Sequence, residues 1–196
     1  LRTLDFWYEF ASTYSYLSVF RIEPLAEQAG VALRWRPFLL GPIFSAQGWM
    51  SSPFNLFPAK GRYMWRDLER TCAARGQPFT HPPGFPQNSL NAARLALAVP
   101  DARRPEFSRA VFAAEFGRGQ VISDETLLAG LLRELDLPED LLEQAKSEAI
   151  RARLREETET ARKLGLFGAP SFVTADGEIF WGDDRLEQAL DWARRA

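Results

Sequence analysis

Asp5-Phe6-Trp7-Tyr8-Glu9-Phe10-Ala11-Ser12-Thr13-Tyr14-Ser15-Tyr16-Leu17 is the stretch on which the reading of this chain turns. Its first half belongs to an aromatic and aliphatic run, residues 1–10, that is too short for an amphipathic helix and reads as a buried strand. Its second half opens a helix, because Leu17, Phe20, Ile22, Leu25 and Ala29 recur at helical spacing from about Tyr14, and Gly30 supplies the stop. Residues 31–37 then read as a second strand ended by Pro37. Ser12 therefore falls between a strand and a helix. A serine there caps free backbone N–H groups, and the same N–H groups, at the positive end of the helix dipole, suit an anion.

Residues 38–58 look loop-like, with Gly41-Pro42, Gly48, Ser51-Ser52-Pro53 and Pro58 interleaved with Phe44, Trp49, Phe54 and Phe57. A loop of that length inside a compact domain points to function. A helix is expected over 60–75, stopped by Gly76, and a second Pro- and aromatic-rich loop over 77–87. Helical patterns follow at 88–99, 105–117, 124–135, 138–146 and 147–164, the last carrying many charges that read as a solvated face. Beyond Gly165, Gly168-Ala169-Pro170 leads into a strand over 171–174, and Ala175-Asp176-Gly177 turns it into a second over 178–181, a strong hairpin signal. A final helix starts at Asp183 or Asp184. The order is β-α-β, a helical block, then β-β-α. It predicts an α/β, thioredoxin-like fold in which residues 1–59 and 165–196 form one unit and residues 60–164 an all-helical insertion. Ala169-Pro170 then falls where that fold keeps a cis-proline loop facing its site.

Composition narrows the chemistry. The 196 residues are 46% hydrophobic with a formal net charge of −2, lacking the basic surplus of a general nucleic-acid binder. No run approaches the roughly 18 to 20 apolar residues of a membrane span, and Arg2, Asp5 and Glu9 interrupt the first ten residues, which do not read as a signal peptide. A cytoplasmic location, with neither nucleic acid nor membrane as partner, is expected. Cys72 is alone, so neither an intrachain disulfide nor a Cys-x-x-Cys pair can form, and with His81 as the single histidine no Cys/His metal site is expected. Chemistry must come from hydroxyls, carboxylates, Lys or Arg, backbone groups, or a reactive group brought in from outside.

Ser12-Thr13-Tyr14-Ser15 occupies the position at which thioredoxin-like oxidoreductases carry Cys-x-x-Cys, with serines in place of both cysteines. Disulfide exchange is excluded at such a site. A hydroxyl at a helix start can still stabilise a thiolate supplied by another molecule. Glutathione is the natural donor, and lowering its thiol pKa by about two units needs only about 2.7 kcal/mol of preferential thiolate stabilisation.

The opening stretch, together with Pro58-Ala59-Lys60-Gly61-Arg62-Tyr63-Met64-Trp65-Arg66-Asp67-Leu68-Glu69-Arg70, Phe167-Gly168-Ala169-Pro170 and Trp181-Gly182-Asp183-Asp184-Arg185, resembles the 2-hydroxychromene-2-carboxylate isomerases and the related kappa-class glutathione transferases, in the same order over essentially the whole chain. The resemblance implies that Ser12 activates the sulfur of glutathione, with Thr13 and Tyr14 beside it. Lys60 would lie near the glycine end, the Ala169 backbone before Pro170 would pair with the cysteinyl backbone as an added strand does, and Gly182, Asp183 and Asp184 would receive the γ-glutamyl end. Asp183 and Asp184 also read as a helix cap, which is compatible with binding. Thr13 stands where many members have proline. The family's loop asparagine corresponds to Asn55 or to Ser51, and Phe85 falls where the isomerase presents an aromatic residue to its substrate. Trp49, Phe54, Phe57 and Phe85 are candidates for an apolar acceptor site. The resemblance also implies a homodimer that takes glutathione and a small aromatic or electrophilic substrate.

Three activities compete at this stage. The first is isomerisation by reversible addition of glutathione thiolate to a conjugated aromatic substrate. The second is net conjugation of glutathione to an electrophile, and the third is a binding module without turnover in which Ser12 is a cap alone.

Overall fold

The computed structural model describes residues 2–195; Leu1, the first residue of the expected opening strand, lies outside them. Four strands form one sheet in the order β2-β1-β3-β4, where β1 is Thr3–Tyr8, β2 Ala32–Pro37, β3 Ser171–Thr174 and β4 Ile179–Trp181. β1 runs parallel to β2 and antiparallel to β3, and β3 pairs antiparallel with β4. The two strands that open the chain and the hairpin that closes it thus share one sheet. This is a thioredoxin-like sheet with β1 at its centre.

Alternation along β1 explains why it is central. Leu4, Phe6 and Tyr8 point to one face and enter the larger core, where Phe6 lies against Tyr8, Trp35 and Phe172 at centroid distances of 5.1, 5.0 and 5.6 Å. Asp5 and Trp7 point to the other face. Trp7 packs with Phe38, Ile43, Ala161 and Val173 in a second, smaller core, and Asp5 pairs with Arg34 and Arg36 of the neighbouring strand. A strand buried on both faces belongs in the middle of a sheet.

The single helix expected after Ser12 is two: α1 (Thr13–Val19) and α2 (Ile22–Ala29). Their apolar positions keep helical spacing, but the chain turns at Phe20 and Arg21, where the Arg21 N–H bonds the Ser18 carbonyl at 3.1 Å. The turn lets α1 pack on the later helices while α2 lies along β2 and the last helix. The stretch expected to be a loop, 38–58, is likewise partly helical, holding α3 (Leu40–Ala46) and α4 (Pro53–Leu56). The Gly and Pro of α3 and the Pro of α4 fall in first turns, where a proline costs no hydrogen bond.

The remaining helices are α5 (Pro58–Arg75), α6 (Leu90–Ala98), α7 (Arg104–Phe112, continued as a π turn over Ala113–Gly117), α8 (Glu125–Glu134), α9 (Leu141–Ala145) and α10 (Glu148–Leu164). After β4 a 3-10 turn, Asp183–Arg185, leads into α11 (Leu186–Arg195). Buried side chains run without a break from the sheet into α6, α7 and α8. Ala169-Pro170 is cis, as expected, and so is Phe85-Pro86, which the sequence did not announce.

Candidate active site

Ser12 caps α1. Its backbone is extended, its Oγ accepts the Ser15 N–H at 3.1 Å, and its hydroxyl donates to the Ala169 carbonyl at 2.9 Å. One side chain therefore joins the start of α1 to the cis-proline loop across 157 residues of sequence. Both open onto a cleft of about 700 Å³. The β1–α1 turn supplies one wall, α3 and α4 with Lys60 a second, the segment around Phe85-Pro86 a third, and Phe167, Ala169 and Trp181 the fourth.

Of the residues singled out from sequence, Ser12, Thr13, Tyr14, Lys60, Ala169, Asn55 and Phe85 line this cleft, as do Ser51, Trp49 and Phe54. The two candidates for the loop asparagine are not alternatives in space: Asn55 Nδ2 donates to Ser51 Oγ at 3.1 Å and to the Phe85 carbonyl at 2.8 Å. Asn55 thereby ties α4 to the Phe85-Pro86 loop. Phe85 meets Trp65 edge-on at 4.9 Å. The Lys60 ammonium lies 5.8 Å from the Phe54 ring and has no carboxylate partner among the described residues.

Thr13 and Tyr14 face the cleft but send their hydroxyls elsewhere. Thr13 Oγ1 lies 3.2 Å from Met64 Sδ of α5, and Tyr14 donates to Asp67 at 2.9 Å. Burial, with the Asp67 carboxylate beside it, raises the Tyr14 phenol well above its ordinary range, so it stays neutral and a donor to Asp67.

Pro170, Gly182, Asp183, Asp184 and Phe57 do not line the cleft. Gly182 is linked to it, since its N–H bonds the Pro170 carbonyl at 2.9 Å. The adjacent aspartates diverge. Asp183 turns inward, 5% exposed, and takes Ser18 Oγ at 2.8 Å and Arg75 at 2.7 Å, with Arg21 at 3.9 Å. Asp184 turns outward with its side chain 78% exposed.

Sequence reasoning missed Glu9, Ser89 and the Phe167–Trp181 pair. Glu9 and Ser89 are buried cleft residues joined by a hydrogen bond. Phe167 and Trp181, both about half exposed, meet at 5.0 Å on the rim. The signal for the last pair was in the chain: Gly168 lies under Trp181, and a Cβ there would collide with the indole ring. Gly168→Ala is expected to push the indole aside and loosen the rim. Because an exposed side chain can give way, the change should be modest, visible as a shift in tryptophan emission and a severalfold weaker retention of a cleft ligand, with the fold intact.

The arrangement suits a peptide-like thiol. The cis-proline loop offers a backbone edge, a hydroxyl stands beside it, a cation lies on the facing wall, and aromatic rings close the rest. No helix among the described residues is long and apolar enough to cross a membrane.

The chain is 31% identical over 187 residues to a 2-hydroxychromene-2-carboxylate isomerase of Sphingobium xenophagum, covering 95% of each chain. It is 29% identical over 202 residues to human glutathione S-transferase kappa 1, covering 95% of this chain and 88% of the relative. A solved 2-hydroxychromene-2-carboxylate isomerase superposes with a TM-score of 0.87 at 27% identity, covering 98% of this chain and 95% of that one. These relatives are named isomerases and glutathione transferases, and the homology supports an enzyme of that kind. Residues 3–192 match the DSBA-like thioredoxin domain, and the chain belongs to that family.

Proposed function

We propose that this protein is a glutathione-dependent isomerase, in which glutathione thiolate adds reversibly to a conjugated aromatic substrate. The observation that carries the reading is the Ser12–Ala169 contact at 2.9 Å: a hydroxyl and the backbone carbonyl before Pro170, side by side in one cleft, where disulfide chemistry has no cysteine to use. The cysteinyl backbone of glutathione would pair along Ala169 before Pro170. Its N–H would take the place of the Ser12 hydroxyl at the carbonyl, leaving Ser12 to donate to the sulfur. A charge-assisted bond of that kind is roughly twice as strong as the neutral one it replaces.

Around that core, Thr13 and Tyr14 form the floor beside the sulfur, and Lys60 meets the glycine carboxylate. The Gly182 turn and Asp184 meet the γ-glutamyl end, and Asp183 holds that turn in shape from inside. Asn55, Phe85 and the neighbouring Trp49 and Phe54 receive the second substrate. In the reaction, the thiolate forms a C–S bond at the β carbon of an enone, and the π electrons move to the carbonyl oxygen. Rotation about the resulting single bond follows. The enolate then returns its electrons and expels the thiolate, so glutathione is regenerated. Interconversion of 2-hydroxychromene-2-carboxylate and trans-o-hydroxybenzylidenepyruvate is the expected case, in a cytoplasmic homodimer.

Thiol stoichiometry tests this. With catalytic glutathione, substrate should interconvert to equilibrium while free thiol stays constant, and no turnover should occur without glutathione. A thiol loss of one for one with substrate would instead assign the conjugating activity suggested by the kappa-class relatives.

A further inference from the structure

Glu9 lies in the turn joining β1 to α1, three residues before Ser12, and lines the same cleft although it is 7% exposed. Its Oε1 accepts the Ala11 N–H at 3.4 Å and the hydroxyl of Ser89, which stands at the start of α6 and also lines the cleft. Behind it, in the π turn that continues α7, Glu115 is fully buried, and neither of its oxygens has a protein partner. π turns recur at functional sites.

Among the described residues no cation answers these two carboxyls. Among those residues neither forms an ion pair; the groups that bear on Glu9 are the Ser89 hydroxyl and the Ala11 and Phe10 amides, while Glu9 in turn bears on Glu115 of the π turn. Two buried carboxyls without a counter-ion do not both ionise. Burial and the neighbouring Glu9 keep Glu115 protonated, well above the carboxylate range. Burial also lifts Glu9, while Ser89 and the two amides draw it back to about 7. Glu9 is thus the member of the pair that can exchange a proton near neutrality, and it is the member that faces the cleft.

We propose that Glu9 is a catalytic acid and base of this cleft, handing its proton to the enolate oxygen of the substrate as the thiolate adds and taking it back as the thiolate leaves. The proposal rests on the glutathione reading above. Its balance is closed. On addition the C–S bond, the enol C=C π bond and a new O–H bond form while the enone C=C π bond, the carbonyl π bond and the Glu9 O–H bond break, and elimination reverses all six. A carboxyl poised near the working pH serves both directions. A thiolate alongside raises it further, so the active form, ionised thiol with protonated Glu9, persists at neutral pH.

The test is the pH profile of kcat at saturating glutathione, run beside an absorbance titration of the bound thiol. In the wild type kcat should fall as pH rises through a limb at or above about 7. Glu9→Gln keeps an acceptor for Ser89 and Ala11. It should abolish that limb and lower kcat about a hundredfold, with thiol ionisation unchanged. Ser89→Ala removes a bond that favours the Glu9 carboxylate, so its limb should move to higher pH. An infrared difference spectrum of the glutathione complex should show a protonated carboxyl band that disappears over the same pH range and is missing in Glu9→Gln. A limb and rate that survive in Glu9→Gln, or a limb unmoved in Ser89→Ala, with thiol ionisation intact, would overturn the role of Glu9 alone. Thiol that stays un-ionised in the wild type would bring down the glutathione reading, and the role of Glu9 with it.

Discussion

Ser12→Ala should return the thiol of bound glutathione to its ordinary acidity and lower isomerisation about a hundredfold, the usual cost of removing one preorganised donor from an anionic centre. The structure gives this serine two bonds, to the Ala169 carbonyl at 2.9 Å and from the Ser15 N–H at 3.1 Å. Alanine loses both. The lost helix cap accounts for about 1 kcal/mol of stability, too little to unfold the protein, so the loss of rate can be read as chemistry. Ser12→Thr restores a hydroxyl and should recover part of the thiol acidification. Absorbance titration of the bound thiol measures both variants. If Ser12→Ala kept an acidified thiol, Ser12 would be a helix cap and nothing more.

Asp183→Ala and Asp184→Ala should behave as differently as their side chains point. Asp183 receives Ser18 of α1 and Arg75 at the end of α5, and removing it leaves two arginines around an empty buried position. Breaking a buried pair costs about 3–5 kcal/mol. Because the Arg75 side chain is one-third exposed, the expected loss is about 3 kcal/mol, read by urea or thermal unfolding. Asp184 pairs with exposed Arg185, at 3.6 Å. Its replacement should leave the unfolding midpoint in place and raise the KM for glutathione, with kcat retained. Equal stability losses in the two variants would refute the division of labour between them.

Much of the architecture was legible before any coordinates. An aromatic run too short for a helix before Ser12 marked β1, the segment between Gly30 and Pro37 marked β2, the Asp176-Gly177 turn marked the closing hairpin, and glycines 30, 76 and 165 end three helices. The lone Cys72 is buried in α5 with its thiol pushed up to about 11 by burial, an environment that disfavours the thiolate. Other elements resisted. The break at Phe20–Arg21 leaves the hydrophobic spacing intact, so periodicity carries no trace of it. α3 carries Gly41 and Pro42 and α4 opens on Pro53, residues whose propensities argue for loop, and in α3 the burial of Leu40 and Ile43 overrides them.

The site divides in the same way. Sequence by itself determined the kinds of group available: a serine pair where cysteines would stand, a backbone edge before Pro170, Lys60 and two adjacent aspartates. Tertiary structure decided which of them meet. It set Ser12 against Ala169, joined Asn55 to Ser51, sent one aspartate inward and its neighbour outward, and enclosed Glu9 with Glu115 and without a cation. The reason is physical. Local sequence fixes backbone preference and side-chain chemistry within a few residues, whereas burial, counter-ions and hydrogen-bond partners come from segments up to 166 residues away, and these set what each group can do.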